Sequence, residues 1–161
     1  ITVSGQAREI QAETVNGAVQ VSGASTRTRA ESVNGSVTVR GASGDLEAST
    51  VNGQLAVSGG TFTRAHLETV AGALSFDGGL AAGGTLEAET VSGSVTLTLP
   101  EGVAADFSVS TFSGSIHNAF GPPATRVSRH GPEKELQFST GGGGANVTAH
   151  SLSGSISLRK R

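Results

Sequence analysis

A short phrase, Val-Asn-Gly or a close variant, recurs seven times along this chain of 161 residues and limits the folds that it can adopt. The glycines of the phrase are separated by 18, 18, 19, 21, 21 and 40 residues, so the last interval contains an insertion. These glycines are Gly17, Gly35, Gly53, Gly72, Gly93, Gly114 and Gly154. A period near twenty residues with strand-forming side chains is typical of a stacked β-solenoid.

Each copy of the repeat has the pattern of two strands joined at a corner. Apolar residues occupy alternate positions of both strands, and equivalent positions form columns through the copies. The first strand gives columns that begin Ile10, Thr28, Leu46 and Ala12, Ala30, Ala48, and the second gives columns that begin Val19, Val37, Leu55 and Val21, Val39, Val57. Because strand side chains alternate between faces, Gln11, Arg29 and Glu47 are predicted to point outward.

An antiparallel hairpin at each Asn-Gly pair is the main alternative, since Asn-Gly is a strong hairpin signal. A hairpin would leave Val15 and its six counterparts facing away from the other apolar residues. Because this position is apolar in every copy, we predict that it turns inward at a solenoid corner. A type I′ turn also needs positive φ at both central residues, which Ala71 and Ser92 supply poorly. A corner needs only the glycine, so the solenoid is favoured.

Two polar columns are predicted beside each corner. A buried hydroxyl ladder is expected from Thr14, Ser32, Thr50, Thr69, Thr90, Thr111 and Ser151. A short amide ladder is expected from Asn16, Asn34 and Asn52, because stacked strands place identical side chains above one another.

The repeat pattern breaks after Gly114. Residues 125–129 and 135–140 have strand character around the turn-like residues 130–132, which predicts a hairpin that covers the last coil edge. The glycines of residues 141–144 form either a flexible link or a tight corner.

The whole chain is therefore predicted to be one all-β domain, residues 1–161. The predicted architecture is a right-handed parallel β-helix, or β-solenoid, of about seven coils with a hairpin insertion before the last coil. Its parts are the repeats in residues 1–117, the hairpin or cap insertion in 118–140, the final coil in 141–158 and a solvated basic tail in 159–161.

Composition excludes several function classes. The formal net charge is −2 with mixed signs, whereas nucleic-acid binding usually needs a basic face. No apolar run approaches the length of a membrane span, so no membrane insertion is expected in this segment. The absence of cysteine excludes disulfides and thiol chemistry. The chain begins at Ile1, which indicates a processed or trimmed product and leaves a signal peptide or anchor open.

Candidate metal and catalytic residues are few. The outward column of Glu13, Glu31, Glu68 and Glu89 offers oxygen ligands for calcium, but a solvated acidic stripe is the favoured interpretation. The histidines, His66, His117, His130 and His150, are expected to lie too far apart to share a metal. We therefore predict no metal and no cofactor.

Glu133 and Glu135 are the local carboxylate pair outside the regular columns, as a glycosidase would require. They are expected to lie in solvent beside Lys134. Since no nucleophile-elbow phrase is present either, we predict no catalytic residues and no enzyme activity.

The tandem Val-Asn-Gly and Val-Ser-Gly phrases, with the closing Leu-Ser-Gly-Ser-Ile-Ser-Leu of residues 152–158, resemble a bacterial adhesin family of unknown function. The resemblance covers about Val15 to Leu158. It implies a β-helical domain that is secreted or associated with the cell envelope, in the periplasm or outside the cell, and it transfers no functional residues.

We accordingly expect a noncatalytic scaffold whose sheet surfaces bind a protein or glycan at the cell surface. The alternatives are a module that assembles end to end into filaments and a polysaccharide-active β-helix enzyme.

Overall fold

The computed structural model describes residues 1–121, 125–126, 133–142 and 144–161 of the chain. All regular structure in these residues is β-strand. The strands are β1 (Thr2–Ser4), β2 (Ala7–Asn16), β3 (Val19–Ser22), β4 (Ser25–Asn34), β5 (Val37–Arg40), β6 (Gly44–Asn52), β7 (Leu55–Ala71), β8 (Leu74–Ser92), β9 (Val95–Leu99), β10 (Ala105–Ser113), β11 (Ile116–Asn118), β12 (Thr125–Arg126), β13 (Lys134–Thr140), β14 (Ala145–Ser153) and β15 (Ile156–Lys160).

Neighbouring copies of the repeat pair in parallel and in register, which confirms the β-solenoid and excludes the hairpin alternative. Ile10 is aligned with Thr28 between β2 and β4, and Val19 is aligned with Val37 between β3 and β5. The first strands of the copies stack into one face, which we call the first face. The second strands stack into the other, which we call the second face. β7 and β8 are long because each continues from the second face of one level into the first face of the next.

The interior is a narrow layer between the two faces, as the alternating pattern predicts. The apolar columns on both faces are buried, apart from half-buried Ile116 near the outer end. Small side chains such as Ala30 and Ala48 occupy the first face, whereas the second face contributes Val37 and Leu55. A thin core of this kind explains why a chain so poor in large apolar residues still folds.

Glycine is required at the corners because the backbones of successive levels approach closely there. At Gly72, where φ is +144°, a Cβ atom would lie 1.8 Å from the carbonyl oxygen of Gly53. The same close approach recurs at Gly35, Gly93 and Gly154. No described non-glycine residue has a positive φ, so these corners are not type I′ turns.

The prediction that Val15 and its counterparts turn inward is wrong. Strand alternation continues without a break to the end of the first strand, so Thr69 points inward and Val70 points to solvent. The chain bends only at the glycine two residues later, too late to change the direction of this side chain. All seven residues of the column are exposed.

The hydroxyl column is buried as predicted from Ser32 onward, and Thr14 is half-buried. The hydroxyls do not bond to one another, however. Ser32 and Thr50 donate instead to the corner carbonyls of Gly17 and Gly35, at 3.1 and 3.0 Å.

The amide ladder is confirmed. Asn34 donates to the side-chain oxygen of Asn16, and Asn52 donates to that of Asn34, each at 3.2 Å. Identical residues therefore stack level by level at the exposed corner of the first three copies.

The last two copies do not stack in chain order, contrary to the prediction. β14 pairs with β8 on one side and with β10 on the other, so the C-terminal copy lies between the fifth and sixth copies. On the second face β15 lies in the same way between β9 and β11. The sixth copy is therefore the outermost level.

The insertion explains this order, because it closes the outer end directly after the sixth copy. β13 pairs antiparallel with β10 and β12 pairs antiparallel with β13, which confirms the predicted hairpin. The edge that it covers is that of the sixth copy and not that of the final copy. Phe138 stacks on Phe107 with ring centroids 4.5 Å apart, and Phe120 lies 5.4 Å from Phe107. With this aromatic cap in place, the final copy fills the level beneath it.

Parts of the predicted insertion lie outside the described residues, namely residues 122–124, residues 127–129 of the first strand and the turn at 130–132. Among residues 141–144, Gly141 and Gly142 form a turn, in agreement with the tight-corner interpretation.

The prediction of a solvated tail at residues 159–161 is wrong for the backbone. Arg159 and Lys160 continue β15 beside β9, and the Arg161 guanidinium lies 3.0 Å from a carboxylate oxygen of Asp77. All three basic residues are exposed.

The unexpected stacking order can be tested with engineered disulfides, since the chain has no native cysteine. Ser92 and Ser153 are aligned on neighbouring strands, within the Cα separation that a disulfide requires. Ser92→Cys with Ser153→Cys is expected to form an intramolecular disulfide under mild oxidation, detected by mass spectrometry. Ser92→Cys with Ser113→Cys spans two levels, about 9.6 Å, and should stay reduced. A disulfide in the Ser92/Ser113 variant and none in the Ser92/Ser153 variant would instead show that the copies stack in chain order.

Candidate functional site

The outer side of the first face carries the most regular set of charged side chains in the described chain. Its first four levels form a shallow depression that we call the charged panel, lined by Glu9, Gln11, Arg27, Arg29, Asp45, Glu47, Arg64 and His66. Side chains of opposite sign stand one level apart, because each strand presents the same two outward positions at this place.

Ion pairs connect the levels of the charged panel. Arg29 donates to Glu31 at 2.7 Å on its own strand and lies 3.9 Å from Glu47 one level on. Arg27 and Asp45 are 3.8 Å apart. The hydrogen bond with Glu31 is the main cause that raises the pKa of the Arg29 guanidinium above its usual value. These exposed pairs order the panel but add little to stability.

The predicted acidic column is present beside the charged panel. Glu13, Glu31, Glu68 and Glu89 share one outward line, with Ser49 between the two pairs. Among the described residues, no group of three or more histidine, aspartate and glutamate side chains is arranged to hold a metal ion.

Histidines occupy separate places on this surface. His66 lies 3.2 Å from Glu87 through its Nδ1 atom. His150 stands between Glu89 and Ser110 in the acidic column, and its Nδ1 is hydrogen-bonded to the Ser110 hydroxyl. Because the final copy is inserted beneath the sixth, His66 and His150 are only two levels apart, closer than chain-order stacking predicts.

The remaining histidines lie elsewhere. His117 is on the second face in β11, within hydrogen-bonding distance of Ser115. His130 lies outside the described residues.

An apolar line runs beside the acidic column, two residues further along each strand. We call it the apolar ridge, and its members are between 39% and 63% exposed. From the first level to the outermost they are Val15, Val33, Val51, Val70, Val91, Leu152 and Phe112. Sequence reasoning missed this surface because it assigned the column to the core, although plain strand alternation places it outside.

A groove separates the apolar ridge from the acidic column, and we call it the ridge groove. Its outer part encloses about 340 Å³ between Glu89 and His150 on one side and Val91 and Phe112 on the other. Residues of the buried hydroxyl column lie along its floor and direct their hydroxyls into the interior. At the described levels of this part, the hydroxyls of Thr69, Thr90 and Ser151 have no hydrogen-bond partner.

The carboxylate pair at the insertion does not gather into a cleft. Glu133 is exposed at the end of the ridge groove, and Glu135 lies in β13 aligned with Ser110. Glu135 accepts a hydrogen bond from the Gln137 side chain. Separately, no helix in the described part of the chain is long and apolar enough to cross a membrane.

The parallel stacking, glycine corners and thin apolar interior define a repeat protein of the β-solenoid class. Residues 2–159 match the family described as Toastrack DUF4097, a domain of unknown function, and the chain belongs to that family. Neither a curated protein nor a solved structure matches it significantly.

Proposed function

We propose that this domain is a noncatalytic scaffold of the cell envelope or of secreted proteins, which uses the charged panel to bind a protein or glycan at the cell surface. The observation that carries the proposal is the panel itself, where rigid parallel strands hold cations and carboxylates one level apart. A preorganised array of this kind lowers the entropic cost of binding an extended polar partner. The adhesin-like role and the periplasmic or extracellular location are parts of this proposal.

The proposal predicts that charge reversal within the charged panel weakens binding. Purified chain immobilised on a biosensor would be exposed to bacterial cell-wall polysaccharide and to an array of surface glycans and proteins. Arg27→Glu with Arg29→Glu is expected to weaken the strongest saturable interaction at least tenfold, because it places like charges beside Asp45 and Glu47.

Arg40→Glu with Arg159→Glu is the matched control, since both are exposed arginines on second-face strands. Its dissociation constant should be within twofold of that of the parent chain. Equal loss in both variants, or no saturable binding to any probe, would contradict the proposal. Release of sugar fragments from the polysaccharide would favour the enzyme alternative instead.

End-to-end assembly is the second candidate, because β2 pairs only with β4 and leaves its other edge without a partner among the described strands. The opposite end of the first face is covered by antiparallel β13, which interrupts the parallel template needed for filament growth. Filaments are therefore disfavoured relative to the binding scaffold. Sedimentation that shows open-ended growth with concentration would reverse this ranking.

A further inference from the structure

Large apolar side chains that face solvent are concentrated on the apolar ridge. Apart from Ile1, every exposed large apolar residue of the described chain belongs to it. The other outward columns of the first face are predominantly polar or charged. A continuous apolar line of this length on an otherwise polar surface is typical of a protein interface.

We propose that the apolar ridge is the interface of a side-by-side dimer, in which two copies of this chain pack ridge against ridge. This inference is independent of the proposed function, because the charged panel lies beyond the acidic column and stays accessible. Three properties of the ridge support this dimer, namely its repeat distance, the groove beside it and the charges that flank it.

The repeat distance of the ridge selects the partner. Stacked strands place its side chains about 4.8 Å apart. An α-helix repeats every 5.4 Å per turn and would drift out of register by about 3.6 Å over the six steps of the ridge. An extended strand presents one face only every ~6.6 Å. A second solenoid has the same spacing, so its side chains can interdigitate at every level.

The ridge groove supplies the matching shape. The ridge and the acidic column are two residues apart along the strand, which leaves a channel about 6.6 Å wide. The ridge of one copy can enter the groove of the other, while the second ridge enters the first groove. The surface is then self-complementary, as a two-fold dimer interface must be. Both ridges lose contact with water, and the contact resembles a steric zipper.

The acidic column selects the orientation. If the two rods ran antiparallel with Val15 opposite Phe112, the two-fold axis would place Glu68 of each copy opposite its counterpart. The two ridges would then lie directly over each other instead of entering the grooves. If the rods run parallel, the two ridges lie in the centre and the acidic columns lie on opposite sides. Each acidic column then approaches the other copy's corner, where the amides of Asn16 and Asn34 offer hydrogen-bond donors. The dimer is therefore parallel.

Sedimentation equilibrium of the purified chain tests the interface. The parent chain is expected to have twice the chain mass, and Val51→Arg with Val70→Arg should raise the dimer dissociation constant at least a hundredfold by charging the centre of the ridge. Gln20→Arg with Gln54→Arg adds the same charge at exposed positions off the ridge and should leave the dimer intact. Circular dichroism melting checks that each variant is folded. A monomeric parent, or a dimer that persists in the folded ridge variant, would overturn the proposal.

A single cysteine at one end of the ridge tests the orientation. In the parallel dimer Val15 lies beside Val15 of the second copy, so Val15→Cys is expected to form a disulfide-linked dimer on mild oxidation. In an antiparallel dimer Val15 would instead meet Phe112 at the far end of the ridge. Cross-linking only in a mixture of Val15→Cys and Phe112→Cys chains would overturn the parallel arrangement. Efficient linkage of Val15→Cys alone would support it.

Discussion

Gly72→Ala is expected to destabilise the fold by more than about 3 kcal/mol, a severe effect for one added methyl group. The methyl carbon would lie 1.8 Å from the Gly53 carbonyl oxygen, well inside van der Waals contact. That oxygen belongs to backbone fixed by the corner hydrogen bonds on both sides, since Gly53 donates to Ala71 at 3.1 Å and Leu55 donates to Ala73 at 2.9 Å. The clash can therefore be relieved only if the two levels of the solenoid move apart. Urea denaturation monitored by circular dichroism measures the loss.

Two control substitutions separate this clash from backbone strain. Gly17→Ala occupies the same corner at the first level and Gly83→Ala lies within β8, and both glycines have positive φ. Neither has an atom within 4 Å of an added Cβ, so each substitution should cost only about 1–2 kcal/mol of φ strain. Equal losses at Gly17, Gly83 and Gly72 would show that φ strain, not the contact between levels, explains the need for glycine.

Most of the fold could be predicted from the sequence because the same alternating apolar pattern recurs in every copy of the repeat. A single alternating strand is ambiguous, but copies with the same inward positions can share one interior only if they stack in parallel. Leu46 and Ala48 lie where their columns predict, and the Asn34 amide completes the predicted ladder. The corner was also predictable, because only glycine tolerates positive φ there.

The direction of the Val15 column was predicted wrongly, because the apolar residue type was given more weight than the alternation of side chains along the strand. An apolar residue in every copy can serve the core or an interface, and residue type does not distinguish the two. Strand alternation does distinguish them, since Thr14 and Val15 must point to opposite sides of the same strand. The polar residue lies inward, and where its hydroxyl has a partner it bonds to backbone at the corner, as Thr50 does with the Gly35 carbonyl.

The stacking order of the last copies could not be predicted from the repeats. β14 has inward apolar residues at the same repeat positions as β10, so either strand fits beside β8. The choice depends on contacts between copies and insertion, such as the stacking of Phe107 on Phe138. These residues are 31 positions apart and follow no shared period. The charged panel was predictable only as outward columns, because the pairing of Arg27 with Asp45 requires the register between levels.

Val37→Asp is expected to cost about 4 kcal/mol or more, because it would bury a carboxylate without a partner. Val37 is fully buried between Val19 and Leu55 in the second-face column, where the aligned neighbours are all apolar. A charge at this place must be either desolvated or neutralised by a raised pKa, and both reduce stability at neutral pH. The loss should diminish as the pH falls through the raised pKa, since the neutral acid is less costly to bury.

Thr38→Asp is the matched control, one residue further along the same strand and on its outward side. Its aligned neighbours Gln20 and Ala56 lie on the outer surface, so solvent can hydrate the new carboxylate. The change should cost less than about 1 kcal/mol, as for most surface substitutions. Parallel urea titrations at pH 7 and pH 4 compare the two variants. A Val37→Asp chain that unfolds at the same urea concentration as Thr38→Asp would place this column outside the core and contradict the interior described here.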